Sequence, residues 1–176
     1  MEWHDILKNK KQIKYFSKDK VSKKIIVEIL DELHRYCPSK QNLTPYTITV
    51  ISQKNKQKQK EIYFNSWCVT DHIKDTRNAQ VIAPYIFLFQ PTTNDRISMI
   101  EIGIAALFLS YSAVNKGLDV AFCECYKGND AVLIVSVGYC DHSTRYYNPL
   151  YKRYAKKMEE GDTQSKQDKT NYIIWT

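Results

Sequence analysis

A basic run near the N-terminus combines closely spaced cations with an amide, and its chemistry suits an anionic ligand. The run begins at Lys10 and reads Lys-Lys-Gln-Ile-Lys-Tyr-Phe. If the run is extended, its side chains alternate, with Lys10, Gln12 and Lys14 on one side and Lys11 and Ile13 on the other. Two cations and an amide would then follow an elongated phosphate ester. A solvated basic strand is the alternative, and this segment alone favours that alternative.

A second polar segment lies between Pro38 and Pro45, and we call residues 38–45 the proline-framed loop. The prolines limit its freedom, so its hydroxyl and amide groups can present fixed directions to the edge of a heterocycle. An ordinary helix-to-strand connection explains this segment equally well. The polar side chains of the loop that could contact such a heterocycle are those of Ser39, Lys40, Gln41, Asn42 and Thr44.

Four helices and four strands are predicted to position these two segments. Ser22 can cap a helix whose apolar residues recur at helical spacing, and Pro38 ends that helix. The strands are β-branched or apolar runs. We predict helices over residues 3–8, 22–37, 61–68 and 98–116, and strands over residues 46–51, 84–89, 118–125 and 131–138.

The helix over residues 98–116 is the clearest of these elements. Ser98 and Glu101 have the spacing of a capping box, and Gly117 is a typical terminating residue. Its interior is apolar nearly all round and contains several small residues. A helix without a polar face must be covered on every side. The sequence therefore predicts a central helix that lies between a sheet and either another layer or a second subunit.

The composition excludes a mainly disordered chain and favours partners that carry phosphate. The 176 residues are 43% hydrophobic, and 26 Lys and Arg against 19 Asp and Glu leave a net charge of +7. Lysines are concentrated between Lys8 and Lys24, with a second cluster from Lys54 to Lys60. Basic clusters suit ligands from nucleic acid to a nucleotide cofactor, and charge does not choose among them.

Neither a membrane span nor a metal site is expected. No uncharged apolar stretch reaches the roughly 18 residues that a span requires, and no signal peptide is apparent, so a soluble cytoplasmic protein is the expectation. The five cysteines lack the spacing of zinc ligands and are expected to be free thiols.

The basic run and the proline-framed loop resemble two motifs of the nitroreductase family. They also occur in the same order and at a similar separation along the chain. The basic run is similar to the family's Arg-Arg-Ser-x-Arg-x-Phe. The loop is similar to its Pro-Ser-x-x-Asn-x-Gln-Pro-Trp, with matches at Pro38, Ser39, Asn42 and Pro45. A small-residue-rich helix ending in Gly-Leu and a strand ending in Gly follow, as in the family. The resemblance spans about residues 3 to 153.

The resemblance implies an α+β, nitroreductase-like fold: a central, mostly antiparallel sheet packed by helices, with a buried central helix. It also implies a homodimer with flavin mononucleotide (FMN) at the subunit interface. Residues 1–153 would form the single domain. Residues 154–176 would form a polar extension whose apolar tip could wrap the dimer partner.

The resemblance also assigns roles to individual residues. The basic run would hold the FMN phosphate and the polar edge of the ring, and a cation beside that edge would favour the reduced flavin. Lys14 is the residue expected to tune the flavin in this way. The expected cofactor-binding residues are Lys10, Lys11, Gln12 and Lys14 of the run, Pro38, Ser39, Lys40 and Asn42 of the neighbouring subunit's loop, Glu124 and Cys125 near the reactive ring nitrogen, and Arg153 at the phosphate.

The implied reaction is hydride transfer from NAD(P)H through FMN to a nitroaromatic, a quinone or a similar small acceptor. The protein need supply no acid or base, because the cofactor carries the redox chemistry. The chain departs from the family in its lysines for arginines, which keep the charge but lose the bidentate fork. It also has a short connection, Gln90 to Ile97, where the family inserts a longer helical excursion, so a more open flavin face is expected. Two alternatives stay open: flavin or nucleotide binding without nicotinamide turnover, and a basic nucleic-acid-binding module.

Overall fold

The computed structural model describes residues 2–9, 13, 15–66, 81–124, 126, 128 and 130–141. These residues belong to one compact unit, Met1–Asp141. The predicted boundary between residues 153 and 154 lies outside them. The helices are α1 (Trp3–Asn9), α2 (Lys23–Tyr36), α3 (Lys56–Asn65) and α4 (Arg96–Asn115), and the strands are β1 (Tyr46–Ser52), β2 (Tyr85–Pro91), β3 (Asp119–Cys123) and β4 (Leu133–Gly138).

The four strands form one antiparallel sheet in the order β1-β2-β4-β3. β2 lies at its centre, where Phe87 is paired with Val50 of β1 and Val135 of β4. β3 completes the sheet through its pairing with β4. The sequence prediction of an α+β fold with an antiparallel sheet is confirmed.

Helices cover both faces of the sheet because its central strands are apolar on both sides. Phe87 and Phe89 pack with α2 and α4 on one face. Ile86 and Leu88 pack with Ile62 of α3 on the other. Successive strand residues point to opposite faces, so an uninterrupted apolar run is the pattern of a strand buried on both sides.

The helix α4 begins one turn earlier than the predicted capping box places it. Its N-cap is Asp95, whose side chain accepts a hydrogen bond from the Ser98 amide at 2.7 Å. Thr93 Oγ1 donates to the other Asp95 oxygen at 2.6 Å and fixes the carboxylate. The predicted pairing of Ser98 with Glu101 as a capping box is therefore wrong, and Glu101 is available for other contacts. Gly117, with φ of 78°, ends the helix as predicted.

One side of α4 packs on the sheet, and the opposite side is partly exposed within the described part of the chain. Ala105, Ala106 and Leu109 are buried. The opposite side carries four apolar residues that are each 39–51% exposed, and we call them the α4 apolar face: Ile97, Ile100, Ile104 and Leu107. By length and composition α4 could cross a membrane, but 56% of its apolar window is buried in this fold. The expectation that α4 is covered on every side is not met by the described residues of one chain.

The lysine-rich segment after β1 starts a helix, and it does so earlier than predicted. The Asn55 side chain accepts from the Lys58 amide at 3.0 Å and caps α3, which begins at Lys56 rather than at residue 61. Asparagine is a preferred N-cap because its oxygen satisfies an amide that has no helical partner. The predicted end of this helix, residues 67 and 68, lies outside the described residues.

Candidate functional site

A concave cleft of about 410 Å³ lies between the proline-framed loop and the first turns of α4. Two features that the sequence singled out, the polar loop and the apolar helix, meet here. The wall on the α4 side is apolar apart from Glu101, and the loop side combines a proline with polar residues. The cleft is lined by Pro38, Ser39, Lys40, Ile97, Ile100, Glu101 and Ile104.

Glu101 holds the loop against α4 with both oxygens of its carboxylate. Ser39 Oγ donates to Oε2 at 2.6 Å, and the Lys40 backbone amide donates to Oε1 at 2.7 Å. Ser39 Oγ also accepts from the Thr44 amide at 2.9 Å, which joins the two ends of the loop. Glu101 is only 4% exposed. Hydrogen bonds to a carboxylate contribute about 1.5 to 3 kcal/mol each, so these contacts restrain the loop.

The loop backbone adopts a conformation that non-glycine residues rarely take. Gln41, Asn42 and Thr44 have φ values of 55°, 56° and 40°. Asparagine tolerates the left-handed region, whereas a β-branched threonine there is strained. Each such residue costs on the order of 1 to 3 kcal/mol and persists where surrounding contacts enforce it. Ser39 holds two of the three, because the Thr44 amide donates to its Oγ and the Asn42 amide donates to its carbonyl.

Beneath the loop, Cys37 and Tyr46 lie close to Glu101. Burial raises the pKa of Tyr46 to about 12, and the negative charges that Cys37 and Glu101 can carry add to the effect. Burial, followed by the charge of Glu101, also raises the pKa of the Cys37 thiol. Both groups are therefore protonated at neutral pH, and Cys37 is a poor nucleophile because the thiolate is the reactive form.

The raised pKa of Tyr46 predicts a loss of stability in strong alkali. Below its ordinary value of 10 the tyrosine is protonated in both the folded and the unfolded chain, so its contribution is complete. Between pH 10 and 12 the unfolded chain ionises while the folded chain keeps the proton, so stability falls as pH rises. We expect urea midpoints to fall more steeply over this window in the native chain than in Tyr46→Phe. Equal slopes would contradict the assignment, and tyrosinate absorbance provides an independent titration.

The described part of the basic run lies along β3 and the end of β4. The Ile13 amide donates to the Val120 carbonyl at 3.1 Å, and Ile13 is buried. The Asp141 amide donates to the Tyr15 carbonyl at 3.0 Å. Glu124 is exposed directly after β3. The other predicted site residues, Lys10, Lys11, Gln12, Lys14, Cys125 and Arg153, lie outside the described residues.

Of the predicted site residues, the structure brings Pro38, Ser39 and Lys40 together at the cleft. Asn42 belongs to the same loop and is exposed, without lining the cleft. Sequence reasoning missed the site role of Glu101, which it assigned to the helix cap. The available signal was a single acidic residue in the otherwise apolar interior of α4.

A second concavity, of about 310 Å³, lies where α2 meets the end of α4 and is lined mostly by charged residues, three of which form ion pairs. Lys116 Nζ donates to Glu32 at 2.7 Å and to Glu28 at 3.4 Å. Burial would raise the pKa of Glu32, but hydrogen bonds from Lys116 and Ser112 outweigh it and lower the pKa. These contacts join two helices. Among the described residues, no cluster of three or more His, Cys, Asp or Glu side chains could hold a metal ion.

Comparison with solved structures identifies the fold. No protein-family model and no curated protein matches the sequence. A nitroreductase family protein from Clostridium novyi NT matches with a TM-score of 0.68 and 18% identity, over 81% of this chain and 87% of that one. The FMN and NADPH-dependent nitroreductase NfnB from Sphigopyxis sp. strain HMH matches with a TM-score of 0.68 and 13% identity, over 81% and 90%.

A third solved structure agrees with these two. The FMN-dependent nitroreductase NfnB from Mycobacterium smegmatis, in complex with NADPH, matches with a TM-score of 0.68 and 12% identity, over 80% of this chain and 88% of that one. The similarity thus covers most of each chain, although the sequence identities are only 12–18%. The resemblance stated from the sequence motifs is confirmed at the level of the structure: this chain has the nitroreductase-like fold.

Proposed function

We propose that the chain is an FMN-binding oxidoreductase that passes a hydride from NAD(P)H through the flavin to a nitroaromatic, a quinone or a similar small acceptor. The observation that carries the proposal is the cleft between the proline-framed loop and α4, in a fold shared with FMN-dependent nitroreductases. Fold alone does not specify function, and the cleft adds a site of suitable chemistry.

The residues of the cleft fit a flavin. Pro38 and the isoleucines of the α4 apolar face offer an apolar surface to a flat ring system, while the exposed Lys40 offers a cation. Lys40 makes no ion pair within the described part of the chain, so its charge is available for an electron-rich ring edge. FMN, when bound, supplies the hydride chemistry, and the protein's part is to bind it, orient it and exclude water.

A homodimer is part of the proposal because the proline-framed loop and Ile13, a described residue of the basic run, lie at opposite edges of the described sheet. The proline-framed loop leads into β1, whereas Ile13 of the basic run bonds to β3. Three interstrand spacings of about 4.8 Å separate these edges, or roughly 14 Å. A second copy can bring its loop to the basic run of the first, and Leu107, the member of the α4 apolar face outside the cleft, would be buried between the copies.

Within that dimer we assign the phosphate to Lys10, Gln12 and Arg153, with Lys11 nearby. Lys14 would lie at the polar edge of the ring and stabilise the negative charge that reduction places there. Glu124 and Cys125 would present backbone near the reactive ring nitrogen. Pro38, Ser39, Lys40 and Asn42 of the partner would cover the ring. A cytoplasmic location, where NAD(P)H is available, agrees with this reaction.

The proposal is tested by the visible absorption of the purified protein with FMN. We expect flavin bands that persist through gel filtration and bleach when NADH or NADPH is added without oxygen. Retained bands that do not bleach would favour flavin binding without nicotinamide turnover. A protein that takes up no FMN and binds nucleic acid in a strongly salt-dependent way would favour the basic-module alternative.

The phosphate assignment is checked in the same experiment with a double variant. Lys10→Ala with Arg153→Ala should weaken FMN retention by at least about a hundredfold, because two charge-assisted contacts of about 1.5 to 3 kcal/mol each are lost. Lys54→Ala with Lys60→Ala removes the same charge from α3 and the turn before it and should retain FMN. Equal retention by both double variants would contradict the assignment.

A further inference from the structure

We propose that Glu101 is the positioning residue that holds the proline-framed loop in its flavin-binding conformation. The inference about flavin depends on the proposed function, whereas the inference about the loop depends only on the contacts described here. Glu101 would not touch the reacting atoms. It would act through Ser39 and Lys40, which line the cleft.

A few contacts of Glu101 restrain the whole proline-framed loop. One carboxylate accepts from two consecutive loop residues that are 62 and 61 positions away in the sequence. Ser39 relays the restraint to the far end of the loop, because its Oγ also accepts from the Thr44 amide. Thr44 is one of the residues with positive φ. A single side chain of α4 thus restrains both ends of a strained segment.

Burying the Glu101 carboxylate has a cost that its hydrogen bonds must offset. Glu101 is 4% exposed and forms no ion pair within the described part of the chain. A buried charge without a cation is costly and is tolerated where hydrogen bonds compensate it. An apolar residue at this position would pack on the neighbouring isoleucines without that cost. The charge therefore has a use besides the packing of α4, and the loop is what it bonds.

The test combines two measurements on wild type, Glu101→Ala, Ser39→Ala, the double variant and Glu101→Gln. The first, on the flavin-free protein, is the rate of tryptic cleavage after Lys40, identified by mass spectrometry. The second is the FMN dissociation constant. The matched control is Glu32→Ala. The carboxylate of Glu32, on α2, also accepts two hydrogen bonds, from Ser112 and Lys116 at the far end of α4.

We expect Glu101→Ala to be cleaved after Lys40 at least about tenfold faster and to bind FMN about ten- to a hundredfold more weakly, since two charge-assisted bonds are lost. The losses from Glu101→Ala and Ser39→Ala should be clearly non-additive because they remove the same bond. Glu101→Gln keeps one acceptor and should give an intermediate result. Glu32→Ala should lower the urea midpoint. It should leave the rate of tryptic cleavage after Lys40 and the FMN affinity unchanged.

Unchanged loop cleavage or unchanged FMN affinity in Glu101→Ala would overturn the positioning role, as would strict additivity with Ser39→Ala. If Glu101→Ala fails to fold, Glu101→Gln carries the test, because it preserves the shape of the side chain. A wild-type protein that does not bind FMN would overturn the proposed function and the flavin part of this inference. The cleavage rates would still decide whether Glu101 holds the loop.

Discussion

Leu107→Glu is expected to convert the proposed homodimer to a monomer. Leu107 is 43% exposed on the α4 apolar face but does not line the cleft. Burying a carboxylate without a partner between two apolar helix faces costs more than a dimer of ordinary affinity can offset. Light scattering should report 20.7 kDa in place of twice that mass. FMN should be lost at the same time, because each site would need a loop from the other subunit.

The control for this substitution is Val27→Glu. Val27 has nearly the same exposure, 44%, but lies on α2 rather than on the α4 apolar face. It should leave both the dimer mass and FMN retention unchanged. A monomeric wild type, or a Leu107→Glu variant that stays dimeric, would show that α4 is not the interface. A monomer that still retains FMN would show that one chain contains the whole site.

Phe87→Ala is expected to remove a large part of the stability of the domain. Phe87 is fully buried at the centre of the sheet, between its partners Val50 and Val135. Truncating a buried phenylalanine to alanine costs about 3 to 5 kcal/mol through lost burial and the cavity left behind. Domains of this size are stable by about 5 to 15 kcal/mol, so the urea midpoint should fall markedly with little change in slope.

Phe64→Ala makes the same chemical change at a site with little burial. Phe64 is 77% exposed near the end of α3 and contacts the ring of Tyr63. Exposed substitutions of this kind stay within about 0.5 kcal/mol. Both variants can be followed by urea unfolding with circular dichroism. Equal losses at the two positions would mean that the sheet is not the core of the domain.

Elements with strong local signals could be predicted from the sequence. Ser22 caps α2 as expected, with its side chain accepting from the Lys24 amide, and the helix ends before Pro38. The apolar runs predicted over residues 84–89 and 131–138 contain the two central strands, β2 and β4. Such signals are local, because caps and hydrophobic periodicity depend on residues a few positions apart. The order of the strands depends on distant pairings and was not predicted.

The candidate site was predicted in part. The proline-framed loop was singled out from its composition, but the residue that restrains it was not. Asp95 and Ser98 could each cap α4, and a cap at Ser98 would have occupied Glu101. The structure resolves this competition in favour of Asp95, since Thr93 supports its carboxylate. The basic run lies largely outside the described residues, so its role stays a prediction.

The strand order has a consequence for the chain as it is being synthesised. β2 pairs with β1, which precedes it, and with β4, whose last residue is Gly138. Until β4 has been made, β1 and β2 form at most a two-stranded ribbon, and such ribbons are marginally stable in water. The edge of β2 that pairs with β4 stays open throughout this interval. We therefore expect the nascent chain to need protection from aggregation until β4 has emerged from the ribosome.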